Sequence, residues 1–224
     1  MGFDDINKDP ALLRAWIDRA KAEEETHRKE NPDSLIPLFE NELRELGFEF
    51  EISNQTLGFM PKHKKTILPI AVKYYQLAKQ QQRYNEQDHF LSFFHFKGFD
   101  EVIPMLIEDF HSPMTPDITR WFIADRLYQI RSKHYVDEYL KIISNSQYGI
   151  NRQMLILLVG KLKVEKAIPI LIDLLEDEDV RLHAICALGD FKKEEFRPYF
   201  ERFKDSKQPG WRKYSNAALK KLDR

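Results

Sequence analysis

Six side chains in the second half of the chain are of types that could together hold a ligand. Trp121 and Asp125 are four residues apart, which places them side by side on one face of a helix. The other four follow at later points in the chain: Arg152, Arg181, Trp211 and Arg212. Aromatic faces and a carboxylate stabilise a positively charged group, and an arginine without an internal partner is free to serve a ligand. We therefore expect these six residues to line one groove.

Patterns typical of enzymes are scarce. The sequence has no glycine-rich nucleotide-binding loop, no serine-hydrolase motif and no HExxH zinc motif. His89 and His95 are six residues apart, a poor helical spacing for two ligands of one metal ion, and no carboxylate is placed to complete a site. The single cysteine, Cys186, lies in an apolar helical segment and is interpreted as a small core residue. We therefore predict no catalytic residue, no metal and no cofactor.

The elements that must position these residues are clearest at Ala167–Phe191. Two short runs there each place apolar residues on one helical face, and the acidic turn Glu176–Asp179 separates them. Pro169 suits the first turn of a helix, and Gly189 suits a helix end. Neither run can bury its apolar face alone. A helical hairpin of this kind normally comes in stacks.

Two columns of residues indicate that the hairpin repeats. A proline or its counterpart near a helix start recurs at Pro69, Pro104, Val136, Pro169 and Pro198. An arginine that opens the second helix of a pair recurs at Arg120, Arg152, Arg181 and Arg212. Both columns advance in steps of 29 to 35 residues. This spacing predicts five hairpins from about residue 66 onward, with His183 packed in a column shared by Phe122, Met154 and Tyr214.

The arginine column has a structural interpretation beside the functional one. An arginine at this position commonly bonds to acidic residues of a turn. Asp177 and Asp179 stand near Arg181, which predicts a role for Arg181 in stacking the repeats. Arg152 and Arg212 have no comparable aspartate nearby, so we expect them to be freer to bind a ligand.

The repeated pattern resembles that of HEAT repeats, AxPxLxxLLxDxDxxVRxxAxxALG. Ala167–Gly189 follows it nearly throughout, and Tyr148–Leu162 and Pro209–Leu222 look like further members. The sequence looks closest to small bacterial HEAT-repeat proteins that have no assigned activity. The resemblance implies an all-α fold, a right-handed solenoid of antiparallel helix pairs whose second helices line the concave side. Such a solenoid usually offers a surface to a partner.

Residues 1–65 depart from the repeat and are predicted to form an N-terminal helical cap, followed by the repeat array over 66–224. Within the cap we expect a helix over 9–30 and a second over about 34–46. Phe48–Ile52 alternates like a strand but has no evident partner, so it is interpreted as an extended connector. The phenylalanine-rich stretch that follows near residue 90 is predicted to be core.

Charge and composition restrict the classes of partner. The 224 residues carry a net charge of −1, with −4 in residues 1–65 and +3 in residues 66–224, although residues 192–224 alone carry +6. Duplex DNA typically binds a clearly basic face, which +3 does not supply. One cysteine, no membrane-length apolar run and no signal peptide predict a cytoplasmic protein.

Two functions remain open at this point. The first is a non-catalytic scaffold that binds a protein or peptide on the concave face of the solenoid. The alternative is a DNA-binding or DNA-repair protein, because Trp121, Asp125 and Arg152 resemble the aromatic-plus-carboxylate arrangement of bacterial HEAT-like DNA glycosylases. In that family the groove holds duplex DNA, and a carboxylate helps to expel a cationic alkylated purine. The weak positive charge favours the scaffold.

Overall fold

The computed structural model describes residues 31–48 and 55–223, and between residues 14 and 26 it describes six further helical positions. For residues 55–61 it describes the helix but not the side chains. Apart from those six positions, the helix predicted over 9–30 lies outside the described residues. So does most of the connector predicted at Phe48–Ile52.

Every regular element in the described residues is helical, which confirms the predicted all-α class. Short 3₁₀ turns join several of the α-helices. In chain order the α-helices are α1 (Leu35–Glu45), α2 (Gln55–Gln80), α3 (Tyr84–Leu91), α4 (Ile103–His111), α5 (Asp117–Ile130), α6 (Val136–Ser144), α7 (Gln153–Lys161), α8 (Ile168–Asp173), α9 (Arg181–Phe191), α10 (Arg197–Glu201) and α11 (Pro209–Leu222). None of these helices is both long and apolar enough to cross a membrane.

The chain divides into two compact units, Met1–Phe93 and Phe94–Arg224. In the first unit an aromatic cluster forms the core, where the Phe39 ring centroid lies 5.5 Å from that of Tyr74, 5.3 Å from Phe90 and 4.9 Å from Phe93. Burial of Phe90 and Phe93 confirms the prediction that the phenylalanine-rich stretch is core. The division into residues 1–65 and 66–224 drawn from the sequence stays a prediction.

Within the first unit, α2 and α3 pack on one another and correspond to the first predicted hairpin. The helix start predicted at Pro69 is wrong, because Pro69 lies inside α2. The non-helical backbone in α2 is instead at His63, with φ −112° and ψ 18°. The N–H group that Pro69 lacks therefore falls inside the helical segment that follows this kink and not at a first turn.

In the second unit the helices pair as four hairpins, α4 with α5, α6 with α7, α8 with α9 and α10 with α11. Pro104, Pro169 and Pro198 each occupy the second residue of a first helix, and Val136 is the first residue of α6. At these positions a proline costs nothing, because its missing N–H would have no partner in the helix. The proline column is therefore confirmed from residue 104 onward.

Consecutive second helices pack directly on one another, from α5 to α7, α7 to α9 and α9 to α11. Two glycines make the later contacts close. A β-carbon on Gly160 would lie 2.5 Å from the Ala187 Cα atom, and one on Gly189 would lie 3.2 Å from the Ala218 Cβ atom. Among the described residues no comparable packing joins consecutive first helices. The second helices thus form one continuous layer.

Replacing Gly160 by alanine tests this close approach. Alanine favours a helix over glycine by about 1 kcal/mol, but its methyl group would force α7 away from the α9 backbone. Overpacking of a core typically costs about 1–3 kcal/mol. We expect Gly160→Ala to lower the free energy of unfolding by about that amount, measured by urea denaturation.

Gly189→Ala is the matched control, since its methyl group would lie 3.2 Å from the Ala218 Cβ atom and 3.9 Å from the Ala218 Cα atom, which is looser than the contacts at Gly160. We expect a smaller loss from this substitution. A Gly160→Ala variant as stable as the parent protein would contradict the packing described here.

Candidate functional site

The arginine column bonds to the ends of the first helices. The Arg120 guanidinium donates from Nε to the Phe110 carbonyl at 2.9 Å and from Nη2 to the Ser112 carbonyl at 3.0 Å. Arg181 likewise donates to the carbonyls of Leu175 at 2.5 Å and Glu176 at 3.1 Å. The last carbonyls of a helix have no partner inside it, so these arginines satisfy them.

Arg152 is the most deeply buried member of the column, with a side chain only 2 % exposed. Its guanidinium donates to the Ile143 carbonyl at 3.3 Å and to the Asp177 carboxylate at 2.5 Å. The expectation that Arg152 lacks a turn aspartate and is free for a ligand is therefore wrong. Its partner comes from the turn of the next hairpin, 25 residues further along.

Arg181 links its own hairpin to the last one. Its guanidinium carbon lies 4.4 Å from the Trp211 ring centroid, close enough for a cation–π contact. The predicted pairing of Arg181 with Asp177 or Asp179 is wrong, because the carboxylate nearest to it is that of Glu178 at 3.5 Å. A stacking role for Arg181 nevertheless agrees with these contacts.

The remaining predicted residues are more accessible. Arg212 is exposed and donates to the Ser206 carbonyl at 2.8 Å. Asp125 and Trp121 are half-buried, and the Asp125 carboxylate lies 3.0 Å from the Arg126 guanidinium. No hydrogen bond or ion pair of the described residues joins Trp121 or Asp125 to the arginine column. That the six residues line one groove remains a prediction. The buried Arg152 side chain would contribute almost no exposed surface to such a groove.

A different set of side chains covers the outer side of the second-helix layer. These residues lie one, two or five positions after the arginine of their helix, so they share one helical face, on which Trp121 and Asp125 of α5 also lie. All are half-buried except Tyr214, which is 42 % exposed. We call this set the second-helix face, and it comprises Phe122, Met154, Leu157, Leu182, His183, Cys186 and Tyr214.

The sequence did place four of these residues in one column, but it indicated packing rather than a surface. The sequence feature that could have indicated a surface is that these residues stand beside the buried positions of each helix and not on them. Leu155 and Ile156 of α7, for example, are fully buried, whereas Met154 and Leu157 on either side of them are not. The second-helix face is therefore the half-exposed edge of the same periodic pattern that builds the core.

The middle of the second-helix face is uncharged. Along α7 the charged residue is Lys161, in the last turn, and along α9 the charged residues are Arg181 and Asp190, near the two ends. Burial lowers the pKa of His183, which favours the neutral imidazole, and its Nδ1 atom is buried without a hydrogen-bond partner. A neutral, largely apolar strip therefore crosses α7 and α9.

Cys186 lies in this strip as a free thiol. Burial, and secondarily the nearby Asp190 carboxylate, raise the pKa of the thiol to about 11. Because the thiolate is the nucleophilic form of cysteine, this environment opposes covalent catalysis at neutral pH. Among the described residues there is also no group of three or more histidine, cysteine, aspartate and glutamate side chains that could hold a metal ion.

Comparison with protein families matches the second unit. The family model of HEAT repeats matches residues 136–220, from the start of α6 to the last turn of α11. The match confirms the resemblance inferred from the sequence, and the matched residues supply most of the second-helix face. Comparison with curated proteins and with solved structures gives no significant match.

Two members of the arginine column, the buried Arg152 and the exposed Arg212, provide a pair of variants that differ in burial. Arg152→Ala would leave Asp177 and the Ile143 carbonyl without their buried partner. Breaking a buried ion pair costs about 3–5 kcal/mol, whereas the exposed Arg212 can be replaced at a cost below about 1 kcal/mol. We expect this difference between Arg152→Ala and Arg212→Ala in the free energy of unfolding from urea denaturation. Equal losses would contradict the structural role of Arg152.

The thiol of Cys186 can be titrated directly. Because its pKa is raised to about 11, the thiol stays protonated at pH 8, and we expect slow reaction with a disulfide reagent in the folded protein. In urea the pKa returns toward the ordinary cysteine value of about 8.5, so the reaction becomes fast. The raised pKa also stabilises the fold below that ordinary value and ceases to do so as the pH rises toward 11. Equal rates in the folded and unfolded protein would show an accessible, unperturbed thiol.

Proposed function

We propose that this protein is a non-catalytic scaffold that binds a protein or peptide across the second-helix face. The observation that carries the proposal is the continuity of a half-exposed, largely apolar surface over helices that pack side by side. HEAT repeats commonly serve as protein-interaction scaffolds. The central part of a protein interface is typically depleted in charge, as the strip across α7 and α9 is.

The packing supports a concave shape for this surface. Close approach at Gly160 and Gly189 brings second helices together, while first helices lack comparable contacts, and we infer from this difference that the second unit curves toward the second-helix face. Helices pack about 8–10 Å apart, so four of them span roughly 25–30 Å. A partner helix of about 20 residues would cover that length. We propose a cytoplasmic partner, as the single cysteine indicates.

DNA binding is the alternative, and Trp121 and Asp125 are the residues that favour it, since both are half-exposed on one helix. A duplex would require cations to neutralise its phosphates. In the strip across α7 and α9, Lys161 is the one cation left to contact a phosphate. Arg181 already donates to helix carbonyls. The Asp125 carboxylate already has a cationic partner in Arg126, which leaves it less available to a charged base.

Site-specific photo-crosslinking tests the proposal. A photoreactive phenylalanine derivative is placed at Leu157, on the second-helix face, or at Ile170, which is half-buried on the first helix α8. In extract of the source organism we expect discrete crosslinked protein from position 157 and none from position 170. Adding the substitution Leu182→Asp should remove the crosslink, because a charge in the apolar strip opposes its burial.

A labelled DNA duplex provides the opposing measurement. We expect no retention of the duplex by the protein at low salt, where phosphate contacts are strongest. Salt-sensitive retention that is lost in the Asp125→Asn or Trp121→Ala variant would support the alternative. Crosslinking from position 170 but not from position 157 would contradict the use of the second-helix face.

A further inference from the structure

Three large aliphatic side chains are exposed at the turns of two neighbouring hairpins. Met114 lies in the turn between α4 and α5 and Ile118 in the first turn of α5, and the two side chains are 66 % and 59 % exposed. Ile150 belongs to the turn between α6 and α7 and is 53 % exposed. Surface aliphatics that occur singly need no explanation, but a group of them on one edge marks an interaction site.

Contacts between the two turns bring these side chains to one edge. The Asn151 side-chain amide donates to the Asp117 carboxylate at 3.2 Å. Asp117 precedes Ile118 and Asn151 follows Ile150, so the two isoleucines flank the same hydrogen bond. Both also stand two residues before the arginine of their helix, which is the same position in the repeat.

The neighbouring turn adds a free carboxylate to this edge. One carboxylate oxygen of Asp179 lies 4.0 Å from the point that a β-carbon on Gly149 would occupy, directly beside Ile150. No ion pair of the described residues neutralises Asp179. Gly149 has φ +46°, a backbone conformation that other residues rarely adopt, so the position of this turn depends on glycine.

The charge of the three turns has one sign. Residues 112–118, 145–151 and 176–180 together contain five acidic residues and no lysine or arginine. The arginines that follow the turns donate to helix carbonyls and also pair with Asp117, Asp177 and Glu178, while Arg202 pairs with Glu176. The edge therefore presents apolar side chains beside one carboxylate, that of Asp179, which no ion pair of the described residues neutralises.

We propose that Met114, Ile118, Ile150 and Asp179, the turn patch, form a second docking surface for a partner peptide. The peptide carries two or more large apolar side chains with a lysine or arginine beside them. The apolar side chains cover the three aliphatics, and the cation pairs with the Asp179 carboxylate. The Asp179 carboxylate attracts a cation and not a phosphate, so the patch favours a basic peptide over nucleic acid or an anionic membrane.

Fluorescence anisotropy with three labelled peptides tests the turn patch on the full-length protein. All three probes have 16 residues: one of leucine and lysine in an amphipathic helical pattern, one with glutamate in place of lysine, and one with serine in place of leucine. We expect only the leucine–lysine probe to bind. Ile150→Ser and Asp179→Lys should each weaken that binding by about tenfold or more, as for anchors at the centre of an interface.

Three control variants locate the binding. Leu38→Ser removes an aliphatic side chain of the first unit that is 54 % exposed, so it matches Ile150 in type and exposure. Asp205→Lys reverses an exposed charge in the last hairpin, as a match for Asp179. Leu157→Asp alters the second-helix face. We expect all three to bind the probe as the parent protein does, with circular dichroism and melting temperature confirming that each variant is folded.

The opposite results overturn the turn patch. Binding of the serine–lysine probe as tight as that of the leucine–lysine probe would show attraction by charge alone. Equal weakening by Asp205→Lys and Asp179→Lys would show the same. Loss of binding in Leu157→Asp but not in Ile150→Ser would move the probe to the second-helix face and would support the scaffold proposal instead. Absence of binding by every probe would exclude this partner class while leaving the crosslinking result at Leu157 unaffected.

Discussion

The close approach of consecutive second helices is the constraint on which the second unit depends. At Gly160 the absent side chain lets the α9 backbone at Ala187 come within a distance that a β-carbon would forbid, and Gly189 repeats the arrangement against Ala218. A layer packed this closely fixes the register of each hairpin on the next. It also sets the distance over which Arg152 can reach the Asp177 carboxylate of the following turn.

The arginines show how the same packing limits what the turns can do. A hairpin whose first helix ends near the surface leaves carbonyl groups that need donors, and Arg120 and Arg181 supply them. The guanidinium groups are thereby used within the fold and are not spread over the outer surface. What remains on the outer side of α7 and α9 is apolar and half-exposed, which favours a protein partner over a polyanion.

Local pattern predicted most of the architecture, because the proline at a first turn and the arginine after a turn reflect needs within one hairpin. Contacts between hairpins were harder to predict. The partner of Arg152 is 25 residues distant, and no local rule selects Asp177 over a residue of the same turn. Pro69 failed as a marker because a proline can lie within a long helix. The exposure of Ile150 and the positive φ of the adjacent Gly149 are not revealed by composition.

Nuclear magnetic resonance of methionine methyl groups tests the central claim most directly, because the methionines sample different surfaces. Met154 lies on the second-helix face, Met114 at the turn patch and Met105 on the first helix α4. On addition of the protein that crosslinks through position 157, the account predicts a shift of the Met154 signal and none of Met105. A shift of Met105 alone, or a shift of Met154 produced by duplex DNA instead of the protein, would contradict it.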